Sequence, residues 1–535
     1  MKNLKKILSL TLAAAMALSM TACGSKETPK TDAPEPEAPA IEENAGTVGE
    51  VDKTKTYKEK VYIAYWGDLD SADAYGSNSA IGKAYTFHTF DTLTINNVDT
   101  GELEPSLAKE WKDVNGDCKT WDFILEEGVK FHNGDAFTAD DVKFTWEYTA
   151  VGTGNTIINN PASVYIDSIE VIDDYTVRFN LVDPVVDWPT YQEIKIYNKE
   201  SFDTMAPEEA GVIGTGPYMY DKSKNISGVS FSAVRNDNYW KGLDNYPTKE
   251  IVFKVLLDED SRVAALQAGE VDLIYNVSAS YYDILKSDSN LQVLTRGGAN
   301  SYYLGFNHAK PKTADINLRK ALAMAVNREN IEIISFNGGI GGVASYNFCV
   351  PSGAGYSEVD YVEYDPEGAM QLLKENGYEG IKLVLGHTTS TKNIAEVVQA
   401  DLLSVGVEIE LRQVDTTNWT AFKWGDEYDL VTDYAAYQGA MLYNFNRFFR
   451  PGAGANMYRY ESAEYNAAED KVFYSKNMDE MKANFAELQQ FVADDLPLVP
   501  LACGNQIAAA RNGVEGVVLA PATPYMNFST IRFAE

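Results

Sequence analysis

The sequence predicts an α/β protein of more than one domain, and three observations lead to that prediction. The chain has 535 residues, which allows two or more domains at roughly 100–200 residues each. Hydrophobic residues make up 45% of the chain, enough to fill packed cores. From about residue 61, short apolar runs typical of buried strands alternate with amphipathic segments typical of helices, an order that favours α/β architecture.

The N-terminus has the three parts of an export signal. The basic stretch MKNLKK precedes an apolar run of 14 residues, ILSLTLAAAMALSM, which is shorter than the roughly 20 residues of a membrane-spanning helix. Met20-Thr21-Ala22-Cys23 follows and resembles the lipobox of bacterial lipoproteins. It implies a signal peptide over 1–22, lipid attachment at Cys23, and an extracytoplasmic protein anchored to the bacterial cell membrane. Ordinary secretion with an incidental Cys23 is the alternative.

Residues 23–60 are predicted to form a disordered tether. Pro, Glu, Ala, Thr and Lys dominate this stretch and aromatic residues are almost absent, so it cannot bury enough surface to offset its ordering entropy. Its prolines favour an extended chain.

The first half of the folded region is predicted to contain strands and one clear helix. Four stretches carry this prediction: a buried strand at 61–67, a hairpin arm at 119–131, a helix at 138–149 and a strand pair at 168–182. Thr138 suits the N-cap of that helix, and the aspartates after it suit the positive end of the helix dipole.

The second half is predicted to begin with a helix that Gly269 ends, followed by a buried strand, over 261–277. Residues 315–334 predict an amphipathic helix or a helix pair, and 365–378 predict a helix that Gly377 ends. The stretch IKLVLG, a helix from about Thr391 to Ser404, and GVEIELRQV then predict a βαβ unit.

The formal net charge of −33 argues against a nucleic-acid-binding protein, because phosphate binding needs clustered Lys and Arg. Beyond Cys23 three cysteines remain, at 118, 349 and 503, and an odd number cannot all pair within one chain. No CxxC motif is present, so they are interpreted as buried small residues, with the pairing of two of them left open. The four histidines are scattered without metal-ligand spacing, so neither a metal nor another cofactor is expected.

Two glycine-containing motifs are interpreted as structural. Asp113-Val114-Asn115-Gly116-Asp117 has its glycine too early for an EF-hand loop and predicts a hairpin turn. Gly214-Thr215-Gly216-Pro217 lacks the GK[ST] of a phosphate-binding loop. No GxSxG motif occurs either, so nothing points to a catalytic triad.

The stretch at 101–148, GELEPSLAKEWKDVNGDCKTWDFILEEGVKFHNGDAFTADDVKFTWEY, contains a series of motifs in a fixed order. They are Pro105-Ser106-Leu107-Ala108, Trp111, Trp121-Asp122-Phe123, Gly128-Val129-Lys130-Phe131, His132-Asn133-Gly134 and Thr138-Ala139-Asp140-Asp141-Val142. This series resembles the signature region of the family-five extracellular solute-binding proteins, the peptide, nickel and opine receptors of ABC importers. Later stretches, among them NDNYWKG and DLPLVPL, continue the resemblance along nearly the whole mature chain.

The resemblance implies a periplasmic-binding-protein-like type II fold, with two α/β lobes joined by a hinge plus an inserted third domain. Domain I would comprise three segments, 61–92, 198–302 and 500–535. Domain II would be inserted at 93–197, and domain III would occupy 303–499. Ligand would lie between the lobes, which close by hinge motion.

In function, the resemblance implies a substrate-binding lipoprotein of an ABC importer rather than an enzyme. It would capture an extracellular solute and deliver it to two permease subunits powered by cytoplasmic ATPases, and we expect a monomer. An oligopeptide is the first expectation for the ligand because peptides are the commonest class in the family. The alternatives are a receptor for an oligosaccharide or other neutral solute, and a secreted hydrolase.

The stretch EYDLVTDYAAYQGAMLYNF, at 427–445, departs from the peptide receptors. In those receptors an Asp in this region binds the α-amine of the ligand, and an ungapped alignment places Gln438 at that Asp. Because a buried ammonium needs charge compensation, either another carboxylate such as Asp433 replaces it or the ligand lacks a free α-amine.

The ligand-binding candidates lie at the end of the first strand and in domain III. For each aromatic candidate, packing in the core is an equal alternative to ligand contact. The candidates are Tyr65, Trp66, Asp68, Trp419, Asp433, Tyr434, Tyr437 and Gln438.

Overall fold

The computed structural model describes residues 44–77, 79–97, 102–150, 165–437, 440–519 and 526–535. Its strands, in chain order, are β1 Gly46–Thr47, β2 Lys60–Tyr65, β3 Thr94–Asn96, β4 Leu103–Pro105, β5 Ala108–Asp113, β6 Thr120–Leu125, β7 Ile166–Asp173, β8 Thr176–Leu181, β9 Tyr218–Tyr220, β10 Ser230–Arg235, β11 Glu250–Val255, β12 Leu273–Tyr275, β13 Leu291–Phe306, β14 Gly342–Ala344, β15 Lys382–His387, β16 Glu408–Gln413, β17 Leu430–Ala436, β18 Leu498–Arg511, β19 Val514–Glu515, β20 Val517–Val518 and β21 Arg532–Phe533.

The α-helices of the described residues are, in the same order, α1 Ala80–Thr89, α2 Ala139–Ala150, α3 Lys199–Thr204, α4 Pro207–Ala210, α5 Glu259–Gln267, α6 Tyr282–Ser287, α7 Pro311–Ala314, α8 Ile316–Ala325, α9 Arg328–Ser335, α10 Pro366–Glu375, α11 Lys392–Ser404, α12 Trp419–Trp424, α13 Tyr443–Phe449, α14 Ala463–Phe473 and α15 Met478–Asp495. Within the described ranges, none of them is both long and apolar enough to cross a membrane.

One mixed sheet of eleven strands organises most of the structure. Its strand order is β16-β15-β17-β13-β18-β12-β2-β11-β10-β9, and β14 pairs with β18 off this path. The half from β12 to β9, with α1, α5 and α6, is called the first lobe here. The half from β16 to β17, with α8 to α15, is called the second lobe.

The two longest strands connect the lobes. β13 has 16 residues and β18 has 14, and the two pair antiparallel along their length. The C-terminal part of β13 pairs with β17 in the second lobe, whereas the C-terminal part of β18 pairs with β12 in the first. The pairing slips between Arg296 and Asn300, where Gly298 has a φ of +88° that favours glycine. This irregular ribbon connects the two α/β lobes.

A separate antiparallel sheet, β5-β6-β8-β7, together with α2 forms the small domain. Along β8 buried side chains alternate with half-buried ones, and the buried aromatics of the sheet pack with Trp146 of α2 and with Trp188. At the β5–β6 turn the Asp113 carboxylate accepts hydrogen bonds from the backbone N–H groups of Gly116, at 3.0 Å, and Cys118, at 2.7 Å. The interpretation of 113–117 as a hairpin turn is therefore confirmed.

Most of the predicted elements of the main sheet are confirmed in type and order. The stretch 315–334 forms a helix pair, α8 and α9, and the βαβ unit forms as β15, α11 and β16 with parallel strands. Gly269 and Gly377 both follow helix ends with positive φ. Local hydrophobic periodicity predicts these elements correctly, because tertiary packing does not change their secondary structure.

The predicted tether extends too far toward the folded region. From Asn44 onward the chain pairs with the body: Asn44 bridges Thr295, and β1 pairs with β20. The Arg532 guanidinium also donates to backbone carbonyls at 48–50. Composition alone could not reveal this docking, because every partner lies more than 200 residues along the chain and backbone pairing needs no apolar side chain.

Gly214 and Gly216 have a packing role, as expected for a motif that is not a phosphate loop. A Cβ at Gly214 would lie 2.0 Å from the carbonyl oxygen of Thr89, the last residue of α1. A Cβ at Gly216 would lie 2.6 Å from the carbonyl carbon of the same residue. The two glycines therefore let the chain cross the C-terminal end of α1 in direct backbone contact.

The cysteines and histidines of the described residues do not form a metal centre. Cys118, Cys349 and Cys503 are all free thiols, so the open question of their pairing is answered in favour of no disulfide among them. No group of three or more His, Cys, Asp or Glu in the described ranges could hold a metal ion.

Candidate functional site

A cavity of about 290 Å³ lies where α1 of the first lobe faces the second lobe. Lys83 of α1 forms part of its wall, and the rest of the lining belongs to the second lobe and β13. Because its lining includes residues of both lobes, this cavity is a place where a ligand would contact both of them.

Three elements of the second lobe supply the main side chains of the cavity. On α12, Trp419 and Lys423 lie four residues apart and so share one helix face. β17 contributes Asp433 and Tyr434, and α13 contributes Arg447. The charged lining residues are Lys83, Lys423, Arg447 and Asp433, three cations and one carboxylate, which give a net charge of +2.

Asp433 is the centre of a buried polar network. Lys423 Nζ donates to Asp433 Oδ2 at 2.6 Å, and the side chains are only 9% and 8% exposed respectively. The Tyr458 hydroxyl donates to the same oxygen at 3.2 Å and lies 2.8 Å from the Tyr303 hydroxyl. Tyr303 is the cross-strand partner of Asp433 in the β13–β17 pairing. The carboxylate is therefore compensated by a cation and hydrogen-bonded.

The two tyrosines of this network remain neutral donors at physiological pH. Burial, and then the charge of Asp433, raise the pKa of Tyr303 well above its ordinary value. Burial is also the main cause that raises the pKa of Tyr458 well above its ordinary value. Both hydroxyls therefore keep their protons and can hold Asp433 in place.

Lys83 and Arg447, unlike Lys423, have no carboxylate partner in the described part of the chain. Among the described residues, no carboxylate lies within ion-pair distance of either side chain, and no acceptor bonds Lys83 Nζ. Partial burial, and then the charge of Arg447, lower the pKa of Lys83. The two cations therefore repel each other across the cavity, one from each lobe.

The remaining lining residues are uncharged and include both hydroxyl-bearing and apolar side chains. The hydroxyl-bearing residues Thr388, Ser390 and Thr416 form one part of the wall. The apolar part includes Trp419, whose indole N–H is buried and has no acceptor in the described parts of the chain, and Phe448. Such a lining can pack against apolar groups, donate hydrogen bonds and attract negative charge.

The structure brings three of the predicted ligand-binding residues together. Trp419, Asp433 and Tyr434 all line the cavity. Tyr434 is 44% exposed and its ring lies 5.3 Å from that of Tyr302 across the strand pair. Ligand contact by these three stays a prediction.

The other predicted residues lie outside this lining. Tyr65 is 1% exposed in the core of the first lobe, with Trp66 stacked on it at 4.9 Å. Asp68 accepts hydrogen bonds from the Ser227 hydroxyl and the Gly228 backbone N–H. Tyr437 is buried and donates to Cys349 Sγ at 3.0 Å. These contacts are those of core or loop-fixing residues, and ligand contact by them also stays a prediction.

Gln438 lies outside the described residues.

Sequence reasoning missed the cations of the cavity. Lys423 could have been found, because it lies four residues after the predicted Trp419 on a helical segment. The sequence around Lys83 and Arg447 does not distinguish them from lysines and arginines on the surface. Their approach depends on the packing of the two lobes, which the sequence does not display.

Comparison with known proteins shows which family the chain is similar to. The sequence profile for bacterial extracellular solute-binding proteins, family 5, middle region, matches residues 102–462. The chain is 27% identical over 467 residues to the heme-binding protein A of Haemophilus influenzae, covering 78% of this chain and 82% of that protein. It is also 27% identical over 467 residues to the dipeptide-binding protein of Escherichia coli, covering 79% of this chain and 85% of that protein.

A solved structure shows the same fold. The chain matches the ABC transporter-associated periplasmic binding protein DppA from Helicobacter pylori, in complex with the peptide STSA, with a TM-score of 0.77. Sequence identity is 22%, and the match covers 90% of this chain and 99% of that one. The periplasmic-binding-protein-like type II fold, expected from the signature motifs, is thereby confirmed.

Proposed function

Because the chain belongs to the bacterial extracellular solute-binding proteins of family 5, we propose that it is the substrate-binding subunit of an ABC importer for an oligopeptide. The observation that carries this proposal is the cavity between the lobes, on a chain whose family profile matches residues 102–462. The protein captures its solute outside the cytoplasmic membrane and presents it to two permease subunits. It acts as a monomer and catalyses no reaction.

The charged lining supports an oligopeptide over a neutral solute. Lys83, Lys423, Arg447 and Asp433 give the cavity both signs of charge, which can pair with the charged groups of a peptide, whereas an uncharged sugar brings no charge to compensate them. The E. coli relative is a dipeptide-binding protein and the H. pylori structure holds a peptide. We further propose that Trp419, Asp433 and Tyr434 contact the ligand or fix the residues that do.

Native mass spectrometry tests the proposed function. The mature protein is purified from its own membrane without refolding and sprayed intact, and the released ligand is then fragmented. We expect adducts whose fragments have amino-acid residue masses. Release of a sugar would contradict the peptide assignment. Hydrolysis of a released ester or glycoside by the purified protein would contradict the assignment as a receptor.

We propose that Cys23 carries the lipid that holds the protein at the membrane. Replacement Cys23→Ala should release the protein into the medium or leave its precursor unprocessed, because a diacyl anchor is needed for stable attachment. The measurement is metabolic labelling with a radioactive fatty acid, with Cys118→Ala as the matched control. Undiminished acyl labelling of the Cys23→Ala protein would refute the anchor.

We propose that the lobes close on the ligand about β13 and β18. The predicted domain boundaries at 302/303 and 499/500 fall within these two strands, and the slipped pairing beside Gly298 offers a place for backbone rotation. Small-angle scattering should show a smaller radius of gyration when ligand is added to stripped protein. An unchanged radius at saturation would count against closure.

A further inference from the structure

The charge of the cavity is opposite to that of the protein. The whole chain has a formal net charge of −33, yet the cavity lining has a net charge of +2. A positive pocket in so acidic a protein concentrates anions locally and attracts the negative part of a ligand.

Asp433 already has a cationic partner, so it offers a ligand ammonium only a shared charge. Its Oδ2 already accepts from Lys423 at 2.6 Å and from Tyr458 at 3.2 Å. A second cation at this carboxylate would have to displace Lys423 or share one negative charge with it. The Lys423–Asp433 pair is therefore a neutral part of the wall, and the uncompensated charge of the cavity resides on Lys83 and Arg447.

Neither Lys83 nor Arg447 forms an ion pair with a carboxylate of the described residues. Asp70, the carboxylate whose charge opposes the lowering of the Lys83 pKa, accepts hydrogen bonds from the hydroxyls of Ser77 and Ser79. On the other side, burial and the charge of Lys83 lower the pKa of Lys195 to about 7. Bringing the lobes together thus places like charges near one another. Asp70 is a nearby carboxylate but forms no ion pair with Lys83, so an anion that enters the cavity would relieve the repulsion.

We propose that the ligand binds with a carboxylate between Lys83 of the first lobe and Arg447 of the second, so that this anion holds the two lobes together. The inference rests on the proposed capture of a peptide and specifies which end of it the cavity recognises. Arg447 offers a planar guanidinium and Lys83 a compact ammonium, and both donate charge-assisted hydrogen bonds to carboxylate oxygens. The α-amine of the ligand finds no unpaired carboxylate among the described lining residues and contributes little to affinity.

Four synthetic tetrapeptide pools test this, each randomised over Ala, Ser, Leu and Tyr and applied to stripped mature protein in calorimetry. The pools are free at both ends, N-acetylated, C-amidated, and C-amidated with one Glu. The free and N-acetylated pools should bind, and the amidated pool should bind at least about 10-fold more weakly, as expected for loss of a hydrogen bond between charged groups. Restored binding of the Glu pool would identify a side-chain carboxylate as an equal source of the anion.

Variants of the two cations give the second part of the test. Lys83→Met and Arg447→Met should each weaken binding of the free pool by about 10-fold or more and remove the difference between the free and amidated pools. Lys83→Arg should retain that difference. Lys320→Met, an exposed lysine on α8, is the matched control and should bind as the unaltered protein does. Because each cation variant removes one of two like charges, the thermal midpoint of the stripped protein should not fall.

The outcomes separate the two claims. Equal binding of the free and amidated pools would overturn the carboxylate inference and leave the peptide function standing. Binding of no pool would overturn both. Loss of binding of the N-acetylated pool alone would also overturn the inference, because it would show that the ammonium is the group recognised.

Discussion

Replacement Lys423→Met should strongly destabilise the second lobe. It leaves the Asp433 carboxylate buried with hydroxyl donors but no cation, and breaking a buried ion pair in this way costs about 3–5 kcal/mol. For a lobe of this size that loss lowers the unfolding midpoint by on the order of 10 °C. Differential scanning calorimetry measures it, with each transition treated separately because two lobes need not unfold as one unit.

The double variant Lys423→Met/Asp433→Asn shows whether the loss comes from the unpaired charge. It removes both charges and keeps an acceptor for the Tyr458 hydroxyl, so it should be more stable than Lys423→Met alone by about 2 kcal/mol. Lys382→Met is the matched control, since Lys382 forms a salt bridge with Glu408 in which both side chains are more than half exposed. The Asp433→Asn single variant completes the cycle: if its effect and that of Lys423→Met simply added in the double variant, the two residues would not be coupled.

Replacement Gly214→Ala should distort the first lobe and weaken ligand binding together. The added Cβ would meet the carbonyl oxygen of Thr89 at 2.0 Å and the ring of Phe90 at 2.8 Å. Gly214 cannot easily retreat, because its carbonyl accepts a hydrogen bond from the backbone N–H of His132 at 2.9 Å. Overpacking of this kind costs about 1–3 kcal/mol or more. Since α1 also carries Lys83, its displacement should reach the cavity.

The matched control for this variant is Gly454→Ala. A Cβ at Gly454 meets nothing within 4 Å, and this glycine has no positive φ. That replacement should be neutral or stabilising by up to about 1 kcal/mol, through the lower entropy of the unfolded chain. Calorimetry of both variants, followed by titration with the free tetrapeptide pool, tests the claim. A Gly214→Ala protein with unchanged midpoint and unchanged affinity would show that α1 tolerates the contact.

Much of the fold could be predicted from the sequence because local patterns are consistent with it. The βαβ unit of β15, α11 and β16 and the helix pair of α8 and α9 depend on hydrophobic periodicity within about 30 residues. The docking of Asn44 onto Thr295 could not be predicted, because that contact joins polar backbone across 251 residues. A local sequence pattern indicates which secondary structure its side chains favour. It does not indicate which distant strand has backbone groups available for pairing.

The candidate site was only partly predictable for a related reason. Trp419, Asp433 and Tyr434 line the cavity, and the sequence predicts them because they are aromatic or acidic residues in the region where the family resemblance implies ligand contact. Tyr65 and Tyr437 are aromatic residues of the same kind, yet they pack in the hydrophobic cores of the two lobes and do not line the cavity. The approach of Lys83 to Arg447 arises from the packing of two lobes, and neither residue has a neighbour in sequence that would reveal it.

A crystal structure of the protein isolated with its own ligand tests the central claim most directly. We predict electron density for a peptide in the cavity between α1, α12, β17 and α13, with a carboxylate within hydrogen-bond distance of Lys83 Nζ and the Arg447 guanidinium. Both lobes should contact that peptide. Density for a ligand held by one lobe alone, or for a neutral molecule with Lys83 and Arg447 facing solvent, would contradict the account.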